Sequence, residues 1–233
     1  VGLMARFGSE KIRGHGIPEA MEAILIGQSR IQPKVAVLKP LSSAISIGSG
    51  GPFGAEGPII MTGGALGSLF AQMFHLTNAE RKTLLVAGAA AGMTAIFGAA
   101  IAAMLLAVEL LLFEWKPRSF VPVAAAALVA LALRPWLVGA GPMFPFPAGM
   151  PPGLWPLAVS AVLGVVIGLE GALLSVALYA LEDLFDRLPL HWMWWPAIGG
   201  LVLGLGGLID AHVLGAGYGS IQALLDGGLA IRV

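Results

Sequence analysis

Four stretches of this chain contain no Asp, Glu, Lys or Arg: residues 57–79, 83–108, 135–169 and 188–209. A helix that crosses a bilayer needs about 20 apolar residues, so several of these stretches can each hold one. In lipid, backbone polar groups must be satisfied within helices or a closed barrel. A barrel would alternate apolar and polar residues in segments of about ten. Val123–Leu133 is apolar throughout, and Leu157–Leu169 is broken only by Ser160. The chain therefore reads as an all-α integral membrane protein with several crossings. Composition agrees: 11% of the 233 residues are charged and 58% are hydrophobic, against about 25% charged in an ordinary soluble domain. That excludes a typical cytosolic enzyme. Thirteen basic residues balance thirteen acidic ones, so no net charge draws the chain to nucleic acid. Cysteine is absent, which excludes disulfide, zinc–thiolate and iron–sulfur chemistry.

Three regions follow. Residues 1–134 read as a first membrane half, 135–153 as a Pro/Gly-rich linker, and 154–233 as the start of a second half. Val1 and the missing remainder of that half imply a piece of a longer protein. Pro18 suits the first turn of a short helix. A second segment covers Val35–Ile47, and a third runs from Glu56 to about Phe74. Thr77-Asn-Ala-Glu80 is a capping box, so another helix is expected there, ending near Ala91. Further helices are expected over 94–113, 119–134, 154–185 and 190–209, with a short one after Gly219. Several are too short to span. Short, interrupted segments mark the binding sites of transporters. One internal echo links Gly14-His-Gly-Ile-Pro18 with Gly217-Tyr-Gly-Ser-Ile221, at an offset of 203 residues. Each is followed by an Ala six residues after its first Gly. At that offset the counterpart of Glu56 falls at position 259, past Val233.

Glu56 lies in Gly54-Ala55-Glu56-Gly57-Pro58 and is the only Asp, Glu, Lys or Arg between Lys39 and Glu80. It opens a helix, where the first-turn N–H groups have no partner and carry partial positive charge. Glycines let an anion approach such a terminus without help from Arg or Lys. A carboxylate tethered there competes with that anion until it is protonated. The bland alternative is an acid that merely stabilises its helix. Against that stands the cost of an ionisable group in apolar surroundings. His15, just before a helix start, is either an N–H donor titrating near neutral pH or an ordinary helix-opening residue. Glu114 reads as an interfacial charge, and Glu109 as a structural acid or a proton relay. Glu170 ends 35 uncharged residues, but Gly164, Gly168 and Gly171 around it suggest a packing face. The pairs Gly63/Gly67, Gly164/Gly168 and Gly200/Gly204 are small-residue packing signals. There is no P-loop, HExxH or nucleophile elbow, and the four histidines have no metal spacing. No enzyme activity, cofactor or metal is expected.

Two motifs carry a family resemblance. Gly14-His15-Gly16-Ile17-Pro18 is similar to the GSGIP motif, and Gly54-Ala55-Glu56-Gly57-Pro58 to the G(K/R)EGP motif, of the CLC chloride channels and proton-coupled anion transporters. Ala87-Gly-Ala-Ala-Ala-Gly92 and Ala95-Ile-Phe97 resemble the helices that follow. The resemblance implies an inverted-repeat helical bundle with short broken helices. It implies a homodimer with one pore per subunit, chloride or a similar small anion as substrate, and the bilayer as surroundings. Glu56 would be the external gating glutamate, with Ala55, Gly57 and Gly14–Pro18 along the anion path. Three departures follow from the same comparison. His15 replaces the motif serine, removing the hydroxyl that coordinates the central anion. Leu110 stands where exchangers carry the second of two adjacent carboxylates, with Glu109 at the first. The GxFxP motif and late tyrosine of the second half fall beyond Val233. The expected function is a voltage- or pH-gated anion channel of this type, in a bacterial inner membrane. Its rivals are a proton-coupled chloride antiporter of the same family, a non-conducting membrane scaffold and an intramembrane enzyme.

Overall fold

Thr77 and Glu80 begin the helix around which the others gather. The Glu80 carboxylate accepts the Thr77 N–H at 2.8 Å, and the Thr77 hydroxyl accepts the Glu80 N–H at 3.4 Å. This reciprocal cap satisfies two donors that a helix start leaves orphaned. The computed structural model of the chain describes residues 1–146 and 153–227. In order, its helices are α1 (Gly2–Phe7), α2 (Ile17–Leu25), α3 (Pro33–Gly48), α4 (Glu56–Gln72), α5 (Asn78–Phe97) and α6 (Ala100–Ala107). They continue with α7 (Pro117–Leu137), α8 (Leu154–Asp186), α9 (Trp195–Ile209) and α10 (Tyr218–Leu225). A 3₁₀ turn spans Glu10–Ile12, and α6 runs into a π-helical segment at Val108–Leu112. No strand occurs among the described residues. Pro147, Pro151 and Pro152 of the expected linker lie outside them.

The chain divides into two compact units, residues 1–145 with 196–233, and residues 146–195. In the first, α5 packs against α4, α6 and α7. Leu85, Val86, Ala89, Ala90 and Met93 of α5 are buried, with Ile60, Met61 and Ala65 of α4 and Val123 and Ala127 of α7. Glycines set the α4–α5 distance. A Cβ on Gly63 would lie 3.0 Å from the carbonyl carbon of Gly88, and one on Gly88 would lie 3.0 Å from that of Gly63. The two backbones thus touch, as small residues permit between membrane helices.

Helix boundaries differ from the sequence expectation at the α5–α6 break and at the end of α7. α5 continues through Gly92 and ends at Phe97, where Gly98 takes the left-handed conformation at φ +70°. Gly92 faces Ile59 of α4, its absent Cβ sitting 2.9 Å from the Ile59 carbonyl oxygen. It therefore serves packing inside the helix and does not end it. α7 likewise runs through Pro135 to Leu137. Arg134 secures this region. It is 9% exposed. Its Nε donates to the Ala95 carbonyl of α5 at 3.1 Å, and Nη1 donates to Gly139 and Gly141 at 3.2 and 2.6 Å.

The connections sort by charge. At one end of the α3–α7 group, Arg81 donates to Gln28 and Leu76, Lys82 to Leu112, and Gln72 to Ile31. The connections joined there and the helix turns beside them, residues 26–34, 73–82 and 112–118, carry Arg30, Lys34, Arg81, Lys82, Lys116 and Arg118 against Glu80 and Glu114. The opposite connections, 49–55, 98–99 and 135–146, carry no charged residue.

In the second unit α8 is 33 residues long. No described residue of this unit comes within 4 Å of a Cβ at Gly164, Gly168 or Gly171, where a packing face is expected. Among the described residues three helical segments, Pro117–Leu137, Leu154–Asp186 and Trp192–Ile209, are long and apolar enough to cross a membrane.

Candidate functional site

The N-termini of α2 and α4 meet. A Cβ on Gly57 would sit 2.7 Å from the His15 carbonyl carbon and 3.1 Å from His15 Nδ1. A Cβ on Gly16 would sit 2.7 Å from the Gly57 carbonyl carbon and 3.1 Å from Met61 Cβ. Gly16 also has φ +118°, a conformation L side chains rarely adopt. No other residue type fits either position without moving backbone. The two motifs, about forty residues apart in sequence, thus become one place in the fold.

Each terminus retains unpaired donors. In α4 the first laddered amide is Ile59, whose N–H bonds to Ala55 at 3.0 Å. Pro58 has no N–H, so Glu56 and Gly57 supply the amides outside the ladder. In α2 the first is Ala20, bonded to Gly16 at 3.0 Å. The Gly16 N–H is taken by the Glu19 carboxylate at 2.8 Å, and Pro18 again has none. Glu56 is half-buried. Its carboxylate folds back over Gly54, where any Cβ would overlap it. It thereby lies at the mouth of its own helix terminus. His15 is exposed, with its backbone against Gly57 as described.

The remaining candidates are distributed differently. Glu109 is exposed and Leu110 half-buried, both in the π-helical segment. That segment packs against α2 and α5. Glu114 accepts from Lys116 Nζ at 2.7 Å and Ser119 Oγ at 2.7 Å, with Lys82 Nζ 3.7 Å away. The Lys116 and Ser119 bonds, followed by the nearby lysine charges, pull its carboxyl pKa down to about 2. It belongs to the basic end and is not part of the paired termini. Glu170 is exposed on α8.

Sequence reasoning missed two residues. Lys39 is 2% exposed, and its ammonium donates to the carbonyls of Ile12, at 3.2 Å, and Gly14. It holds the backbone that leads into α2. No local pattern marks it, because its partners lie 27 and 25 residues away. Glu19 was missed too, although an acid three residues past Gly16 is in capping-box register.

Apolar helices long enough to cross a bilayer, and short helices that meet by their N-termini, define an all-helical integral membrane protein of the broken-helix type. The family description "Voltage gated chloride channel" matches residues 1–233. The chain belongs to this CLC family. It is 32% identical over 217 residues to the voltage-gated ClC-type chloride channel ClcB of Salmonella typhimurium, covering 91% of this chain and 51% of that protein. It is 31% identical over 214 residues to ClcB of an Escherichia coli strain, with 91% and 51% covered. The chain spans about half the length of these curated relatives. Its fold matches the crystal structure of a CLC-type fluoride/proton antiporter with a TM-score of 0.84 at 21% identity, over 98% of this chain and 58% of that one. A slow cyanobacterial Cl⁻/H⁺ antiporter gives 0.82 at 23% identity, over 95% and 53%.

Proposed function

We propose that the full-length protein moves chloride or a similar small anion across a membrane, along a path past Gly14–Pro18 and Gly54–Pro58, with Glu56 as its gate. The observation that carries this is the Gly16–Gly57 contact, which brings two helix termini to one point, with Glu56 at the start of α4 and the α2 start capped by Glu19. Partial positive charge from both helices favours an anion there. An ionised Glu56 occupies that position itself. Protonation removes its charge, weakens its hold on the amides and opens the place to the diffusing ion. The charge asymmetry of the connections supports an orientation. Basic loops favour the cytoplasmic face, which turns the uncharged connections before Glu56 outward. On this reading the protein works as a homodimer in a bacterial inner membrane.

The test is anion efflux from liposomes holding the full-length protein, across external pH. The wild type is expected to speed up as external pH falls. Glu56→Gln is expected to conduct at neutral pH as the wild type does in acid. If Glu56→Gln keeps the wild-type acid activation, Glu56 is only a helix-terminal residue. A second reading is a proton-coupled antiporter. The π-helical turn that carries Glu109 favours it, since such turns concentrate at functional sites and this one packs against α2. Leu110 opposes it, because a leucine exchanges no protons. An anion gradient that drives protons uphill decides for the antiporter.

A further inference from the structure

The internal echo in the sequence takes a place in the fold that the proposed gate leaves unused. Both copies open a short helix from a glycine with positive φ, Gly16 at +118° before α2 and Gly217 at +73° before α10. The first copy lies against Gly57, immediately after Glu56. The turn that leads into the second copy meets the chain ahead of Glu56. There the Gly215 N–H donates to the Gly50 carbonyl at 2.8 Å. The two copies thus bracket the segment that carries the acid.

That segment is costly to order, because Gly48, Gly50, Gly51 and Gly54 fall within it and glycine loses the most freedom on folding. Its own bonds are local: the Gly50, Gly51 and Phe53 N–H groups donate to Ile47, Ser46 and Gly51. The Gly215 bond ties it to a distant part of the chain, and the anchor is itself fixed. A Cβ on Gly207 of α9 would sit 2.7 Å from Leu214 Cγ, so Leu214 fills the groove that this glycine leaves. Beyond it, Gln222 Nε2 donates to the Pro145 carbonyl at 3.1 Å, and the Tyr218 ring stands edge-on to Phe144 at 5.8 Å. We propose that the turn before α10 is a clamp on residues 49–55, with Leu214 and Gly215 as positioning residues for Glu56. The inference rests on the gating reading above. A tethered carboxylate blocks best when its segment is already ordered, because the ordering cost is then not drawn from its binding. Loosening the clamp frees the carboxylate and admits the anion without acid.

The test joins chloride efflux from liposomes with amide hydrogen exchange, both on the full-length protein. Leu214→Ala empties the Gly207 groove and leaves the charged groups of the junction, Glu56, His15, Glu19 and Lys39, in place. It is expected to speed exchange over residues 49–55 about fivefold, the factor carried by one neutral hydrogen bond. Efflux at neutral pH is expected to rise by a similar factor, with the rate in acid unchanged. Leu214→Met, close in volume, is expected to behave as the wild type, and Leu214→Val gives the same signs as Leu214→Ala if the latter fails to fold. Added to Glu56→Gln, which is already open, Leu214→Ala is expected to change nothing further. Unchanged exchange over 49–55 overturns the clamp, whatever Glu56 does. Faster exchange with unchanged neutral efflux overturns the positioning role, as does an equal gain with and without the Glu56 carboxylate. Acid activation that survives Glu56→Gln removes the gate and the positioning role together, and the exchange result alone then decides the clamp.

Discussion

α4 with α5, and α8 alone, carry the same sequence device to opposite ends. Gly63 and Gly67 on α4 are spaced like Gly164 and Gly168 on α8. On α4 they lie against the α5 backbone, so closely that a methyl group could not be inserted. On α8 no described residue of its own unit comes within 4 Å. Small residues at four-residue spacing thus state that a helix can be approached closely, not that it is. Their use depends on a partner of matching flatness, which Gly88 supplies for α4.

The sharpest way to break this contrast is to put side chains on both faces. Gly63→Leu should force α4 and α5 apart and cost at least ~3 kcal/mol, the upper range for overpacking. It should be seen as a collapsed thermal transition in detergent. Gly164→Ala in the same 233-residue chain should be neutral or stabilising by up to ~1 kcal/mol, because glycine in an open helix interior is a liability. A large loss in Gly164→Ala would mean that α8 has a close neighbour after all. Between these, Lys39→Met leaves the Ile12 and Gly14 carbonyls without their donor. It should cost ~1–3 kcal/mol, as for buried polar groups left unpaired, and an unchanged melting temperature would show that the ammonium is not needed there. The smallest effect belongs to the rim of the packed region. The Glu114 carboxyl has its pKa lowered from 4.5 to about 2, so its contribution is complete above the unfolded value and fades as pH drops toward 2. Its closest partner, Lys116, is exposed, which keeps the contribution below ~1 kcal/mol. Melting temperature should fall slightly more steeply with acid in the wild type than in Glu114→Gln; identical slopes would count against the ion pairs.

The same contrast explains what could be read in advance. The α5 start was legible because Thr77 and Glu80 form a local cap. The ends of α8 were legible because charged and proline-rich text flanks a long apolar run. The end of α5 was not, because Gly92 and Gly98 look alike in sequence. One meets a neighbouring helix and the other turns left-handed. At the candidate site the motif residues were legible, while their meeting at Gly16 and Gly57 came only with the fold. Lys39 and Arg134 were not legible, since each acts on carbonyls distant in sequence or in an irregular turn.

Pro18 and Pro58 fall within the first turns of α2 and α4, and each withholds one amide from a terminus that could have offered it. On the proposed anion path this sets a clock. Each withheld hydrogen bond, at ~1 kcal/mol, shortens the dwell of a bound ion about fivefold. An anion trap would keep every donor, but a conduit has to release its ion as readily as it takes it in. The two rings therefore tilt this junction toward throughput and away from storage.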